Sequence, residues 1–142
     1  MEKRKILIVE DEYITAEDIK EKLKSVGYKI IGIASTYNKV LELIDNNMPD
    51  LVLMDIKIKG DKNGIETANY VRRHYDIPII FLTAFSDKKL IEQVKNTEPY
   101  GYIIKPFTKE GLYSNIEIAL NKDQRIKYRY QVLFDECKEP VS

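Results

Sequence analysis

Leu51-Val52-Leu53-Met54-Asp55 constrains this chain more than any other stretch: apolar residues run without a polar break and stop at a carboxylate. A run apolar on both sides predicts a strand buried on both faces, as in a parallel sheet covered by helices. Asp55 then falls at the carboxyl end of its strand, where open α/β sheets place their sites. The same pattern recurs. Ile6-Leu7-Ile8-Val9 ends at Glu10-Asp11-Glu12, Ile79-Ile80-Phe81-Leu82 ends at Thr83, and Tyr102-Ile103-Ile104 ends at Lys105-Pro106. Tyr28 to Ala34 is β-rich and ends in nothing ionisable.

Helical spacing fills the intervals. Ile14, Ile19, Leu23 and Val26 are expected to face inward from a first helix closed by Gly27. Thr36 is expected to cap a second helix with Val40, Leu41 and Ile44 inward. Lys57 to Asn63 reads as a loop. Gly64 to Tyr75 reads as a helix with Ile65, Ala68 and Val71 inward. Asp87 can cap a short helix containing Leu90, Ile91 and Val94. Thr108 can cap a last one with Leu112, Ile116, Ala119 and Leu120 on one face. Strand and helix alternating in this way predict a doubly wound α/β fold, a five-stranded parallel sheet with right-handed crossovers.

Composition narrows the function. The 142 residues fit one domain, and 44% hydrophobic with 32% charged residues is ordinary for a globular chain. Lys plus Arg and Asp plus Glu are 23 each, which gives no overall field for nucleic acid. Cys137 is the single cysteine and His74 the single histidine, so a disulfide within the chain and a Cys/His metal cluster are both excluded. No stretch approaches a membrane span, and a cytoplasmic location is expected. The Lys122, Arg125, Lys127 and Arg129 run reads as a solvated helix face in preference to a nucleic-acid patch.

Parallel strands bring Glu10, Asp11, Asp55, Thr83 and Lys105 to one edge. Each alone also reads as a helix cap, a strand end or a solvated charge; coincidence at several strand ends favours a site. Like charges about 4 Å apart at an effective dielectric of about 20 cost on the order of 4 kcal/mol, so protons or a cation are expected among the acids. Carboxylate oxygens suit Mg²⁺. A hydroxyl and an ammonium opposite would cradle an anion, an arrangement suited to phosphoryl transfer onto Asp55.

Taken with Gly64-Ile65-Glu66, Phe81-Leu82-Thr83-Ala84 and Tyr102 to Phe107, these runs resemble the receiver domain of two-component response regulators over about residues 3 to 121. The resemblance implies the flavodoxin-like (βα)5 topology, with 1–121 as the phosphoacceptor domain and 122–142 as a helical extension and C-terminal tail. It implies that Asp55 takes a phosphoryl group from the phosphohistidine of a sensor kinase. It assigns Mg²⁺ to Glu10, Asp11, Asp55 and the backbone carbonyl of Lys57. Thr83 and Lys105 would contact the phosphoryl group, and Tyr102 would be the switch aromatic. A cis Lys105–Pro106 bond is also implied. The face spanning 87–105 would meet a downstream protein partner. Receivers commonly carry a proline in the loop after the acceptor. The loop here has none, which predicts either greater mobility or a different shape, as in a receiver subgroup with a similar Gly-containing loop. Lys57 and Phe85 flank the site and are expected to obstruct the attacking water.

Three alternatives remain open beside that reading. One is a Mg²⁺-dependent aspartate-nucleophile phosphohydrolase, disfavoured because Lys57 stands where the second acid of an Asp-x-Asp site would be. Another is an interaction domain that keeps the fold without phosphorylation. A nucleotide-binding enzyme is weaker, lacking either glycine-rich phosphate motif. With no output domain expected on this chain, it would act as a single-domain regulator or as part of a larger sensor protein, catalysing only its own phosphorylation and dephosphorylation. Weak homodimerisation through the last helix is expected to be limited by Asn121-Lys122-Asp123, which breaks its stripe. Neither nucleic acid nor a membrane is expected as a direct partner.

Overall fold

The computed structural model describes residues 2–84, 88–95 and 99–137, apart from the side chains of Leu90, Ile91, Glu136 and Cys137. The elements run β1 (Lys5–Val9), α1 (Tyr13–Ser25), β2 (Lys29–Ala34), α2 (Tyr37–Asn46), β3 (Leu51–Asp55), α3 (Gly64–Tyr75), β4 (Ile79–Ala84), α4 (Lys88–Lys95), β5 (Gly101–Lys105) and α5 (Lys109–Cys137). The five strands form one sheet in the order β2-β1-β3-β4-β5, and every pairing is parallel. This is the doubly wound α/β architecture that the alternating pattern predicts.

Strand side chains alternate between two cores. Leu7, Val9, Val52, Met54, Ile79 and Phe81 pack with Val40, Ile44, Ile65, Ala68, Val71 and Val94 from α2, α3 and α4. Ile6, Ile8, Leu51, Leu53, Ile80 and Leu82 pack with Ile19, Leu23, Leu112 and Ile116 from α1 and α5. The central strands are therefore buried on both sides, which is why they read as unbroken apolar runs. Gly27 ends α1 with φ 102°, the left-handed conformation expected of a C′ glycine. Thr36 caps α2 by accepting from the Lys39 N–H at 3.2 Å. Thr108 accepts from the Gly111 N–H at 2.9 Å at the head of α5.

Several local expectations change. Ile14 is 83% exposed, because Ala16, Ile19 and Leu23 set the inward face of α1. At about 100° per residue, Ile14 lies about 200° from Ala16. Leu41 is only partly buried, and Leu43 packs on the core instead. The strand expected from Tyr28 starts at Lys29, while β4 extends to Ala84 and β5 covers Gly101 to Lys105. Helix α5 runs on through Asn121-Lys122-Asp123 to Cys137. Asp123 is buried there, accepting from the Tyr100 hydroxyl at 3.1 Å and pairing with Lys127 at 2.9 Å. Asp87 and the side chains of Leu90 and Ile91 lie outside the described residues. No helix among the described residues is long and apolar enough to cross a membrane.

Candidate functional site

The carboxyl ends of β1, β3, β4 and β5 meet at one edge. Register places Val9 beside Met54, Asp55 beside Leu82 and Ala84 beside Lys105. The backbone following each strand is fixed locally. The Glu10 N–H donates to the Ala34 carbonyl at 2.9 Å, and the Ile56 carbonyl accepts from the Gly64 N–H at 2.8 Å. Asn63 and Glu66 form a reciprocal capping box at the head of α3. Gly64 is required there, because a Cβ would stand 2.1 Å from the Asp55 carbonyl oxygen. Helix α3 therefore seats directly on the backbone that carries Asp55.

A cleft of about 370 Å³ opens above these ends, lined by Asp11, Glu12, Asp55, Ile56, Lys57, Thr83, Ala84 and Lys105. Carboxylate oxygens of Glu10, Asp11 and Asp55 lie within 4.8 Å of one another. Glu10 and Asp55 are buried and Asp11 is half-buried. Lys105 Nζ donates to Glu10 Oε2 and to Asp55 Oδ2, each at 3.2 Å. The other Asp55 oxygen, Oδ1, accepts from the Lys57 N–H at 3.0 Å. Thr83 is buried and its hydroxyl donates to the Ala84 carbonyl at 3.1 Å. The Lys105–Pro106 peptide is cis.

One ammonium does not neutralise this cluster. Burial pushes the Glu10 carboxyl up to about 7, and a hydrogen bond and the negative charge of Asp55 push the same way against Lys105. Burial works against the Lys105 ammonium, but Asp55 and Glu10 together hold its pKa above the ordinary lysine value. The pocket thus holds excess negative charge on oxygen ligands, a donor set that fits a hard divalent cation such as Mg²⁺.

Of the residues expected from sequence, Glu10, Asp11, Asp55, Lys57, Thr83 and Lys105 are brought together. Tyr102 stands apart from the cleft, 44% exposed on β5. Phe85 lies outside the described residues. Glu12 also lines the cleft, and its N–H donates to Glu10 Oε1 at 3.3 Å. Its place in the acidic run after β1 was the available signal. Ile56 and Ala84 carry no sequence signal of their own, since each lines the cleft merely by following or ending a strand.

The family model of the response regulator receiver domain matches residues 6–117. The chain belongs to this family. The receiver is 36% identical over 123 residues to the transcriptional regulatory protein PdtaR of Mycobacterium tuberculosis, covering 87% of this chain and 60% of the relative. It is 30% identical over 125 residues to the phyllosphere-induced regulator PhyR of Methylorubrum extorquens, covering 87% of this chain and 46% of the relative. It thus spans about half to three fifths of the length of these curated relatives. Among solved structures, the signal receiver domain of a modulated diguanylate cyclase from Desulfovibrio desulfuricans is 31% identical with a TM-score of 0.82, over 87% of this chain and 98% of that one. The receiver is therefore a signalling domain of the two-component type. A phosphohydrolase finds no support among these relatives, which are regulators.

Proposed function

We propose that Asp55 accepts a phosphoryl group from the phosphohistidine of a sensor kinase and that the receiver changes shape in response. The observation that carries this reading is the Lys105 ammonium shared between Glu10 and Asp55 at 3.2 Å each. It leaves a buried carboxylate oriented by an amide on one oxygen and an ammonium on the other. In the transfer, the phosphorus–nitrogen bond breaks, an Asp55 oxygen bonds to phosphorus, and the imidazole nitrogen keeps the electron pair of the broken bond. Lys105 and the Lys57 N–H hold the acceptor in place, and Lys105 then offers its charge to the phosphoryl oxygens. Glu10, Asp11, Asp55 and the Lys57 carbonyl would hold Mg²⁺, which would supply neutralisation of the transferring group. The chain would catalyse only its own phosphorylation and dephosphorylation.

Phosphorylation adds charge and acceptor oxygens at Asp55. Thr83 turns its hydroxyl from the Ala84 carbonyl to a phosphoryl oxygen, and Tyr102 moves inward from its exposed position. The arrangement that makes these contacts gains population. The surface over 87–105 then meets a downstream protein partner. Residues 1–121 form the receiver unit and 122–142 its extension, through which weak pairing of two chains would run. The location is cytoplasmic, and neither nucleic acid nor a membrane is a direct partner.

Intact-mass measurement after treatment with acetyl phosphate, with and without Mg²⁺, tests the reading on wild type and Asp55→Asn. A Mg²⁺-dependent gain of one phosphoryl group, absent from the variant, is expected. An unmodified wild type would leave the unphosphorylated interaction domain in its place.

A further inference from the structure

The sheet order puts β1 between β3 and β2. The chain leaving Asp55 nevertheless reaches the end of β2. The Lys59 N–H donates to the Ser35 carbonyl at 3.1 Å, and Thr36 and Lys59 form an isolated parallel bridge. The loop thereby links the ends of the two strands that flank β1. Its start is fastened by the bond between the Gly64 N–H and the Ile56 carbonyl. Ile58 packs against the core beneath, and Lys62 lies 4.8 Å from the centre of the Tyr37 ring. The loop is therefore a strap from the end of β3 to the end of β2, pinned at both.

The missing proline of this loop now has a structural consequence. A proline at position 59 would lack the N–H that Ser35 accepts. Lys59 is exposed, so its ammonium is not what the strap uses. Two residues earlier in the same strap, the Lys57 N–H holds Asp55 Oδ1 at 3.0 Å.

We propose that Lys59 is a positioning residue of the pocket: its backbone N–H, held by Ser35, keeps residue 57 against the Asp55 carboxylate. The inference rests on the phosphoacceptor reading above and extends it to a residue that touches neither the acceptor nor the cation. It also links the head of α2 to the pocket, since Ser35 and Thr36 immediately precede that helix.

The test compares Lys59→Pro, which removes the N–H, with Lys59→Ala, which keeps it and removes the ammonium. Mg²⁺ affinity is read by calorimetry, and phosphorylation by acetyl phosphate is read by intact mass. Lys59→Pro is expected to lose about three- to tenfold in both, the factor that one net hydrogen bond amounts to. Lys59→Ala is expected to stay within about twofold of wild type. Amide hydrogen exchange on the wild-type chain gives a readout that needs no variant. The Lys59 N–H is expected to exchange at least about tenfold more slowly than an unprotected peptide. A proline variant equal to wild type, an alanine variant as weak as the proline variant, or an unprotected Lys59 amide would each overturn the inference. If Lys59→Pro fails to fold, the exchange measurement decides. Wild type that takes up neither Mg²⁺ nor phosphoryl group removes the phosphoacceptor reading and this inference together; failure confined to the Lys59 comparison removes the inference alone.

Discussion

The Lys105 ammonium donates to Asp55 Oδ2 at 3.2 Å across 50 residues of chain. It occupies space beside the carboxylates that a divalent cation would share, and the two repel. Replacing Lys105 with alanine is therefore expected to tighten Mg²⁺ binding while slowing phosphorylation of Asp55 at least about tenfold, because the transferring group loses its cation. Calorimetry with Mg²⁺ alone and intact mass after acetyl phosphate separate the two effects. Weaker Mg²⁺ binding in the variant would contradict this account of Lys105.

Glu10 makes the metal-free receiver sensitive to pH. Its carboxyl is pushed up to about 7 in the folded chain from the ordinary 4.5 of a glutamate, so between those values the folded state binds more protons than the unfolded one. Its stabilising contribution is complete below about 4.5 and is lost as pH rises through about 7. The slope is at most about 1.4 kcal/mol per pH unit for one proton. Urea melts from pH 5 to 8 in the presence of a chelator should show stability falling across this window. Glu10→Gln should flatten the fall. A Glu10→Gln chain with the wild-type slope would assign the titration to another group.

Gly64→Ala should be among the most damaging single-methyl additions in the chain. The new Cβ would meet the Asp55 carbonyl oxygen at 2.1 Å and the Ile56 Cα at 2.8 Å, both backbone atoms that no rotamer change can move. Overpacking of this kind costs about 1–3 kcal/mol or more. Denaturant midpoints measure the loss, and phosphorylation of the surviving folded fraction should fall because α3 and the Asp55 backbone must part. A loss within about 0.5 kcal/mol would show that the two segments separate easily.

Helix α1 tests how far periodicity reads packing. Ile19→Ala should cost about 2–5 kcal/mol, since Ile19 is fully buried. Ile14→Ala should stay within about 0.5 kcal/mol. Thermal or urea melts decide, and a comparable loss from both would return Ile14 to the core.

These contrasts mark what the sequence makes legible. Leu51 to Asp55 announces its burial because both faces of β3 are covered, so no polar residue is admitted until the strand ends. The site is legible for the same reason: parallel strands stack their ends, and Glu10, Asp55, Thr83 and Lys105 follow directly from that. Ile14 misleads because a helix can carry an apolar residue in solvent at little cost. The strap is hidden for a different reason. The bond from Lys59 to Ser35 joins two backbone groups, and side-chain identity records it only as the absence of proline. Asp123 misleads in the opposite sense, as a charge that interrupts an apolar stripe in the sequence yet is buried and satisfied by Tyr100 and Lys127.

Asp123 governs how α5 leaves the sheet. Its carboxylate is buried, accepts from the Tyr100 hydroxyl at 3.1 Å, and pairs with Lys127 one turn on at 2.9 Å. Beyond it, Tyr128, Tyr130 and Leu133 are exposed, so these side chains bring the helix little burial there. A helical segment of fewer than about 15 residues without tertiary support is marginal in water. Asp123→Ala removes the acceptor and leaves the half-buried Tyr100 hydroxyl without this partner, which costs on the order of 1 kcal/mol. The expected result is a loss of amide protection from 124 to 134, with protection in the sheet unchanged. Tyr100→Phe removes donor and acceptor needs together and should spare most of it, since Lys127 still satisfies Asp123. Hydrogen exchange resolved along α5 reads both variants. Equal protection in wild type and Asp123→Ala would mean that the extension holds its helix by local propensity alone.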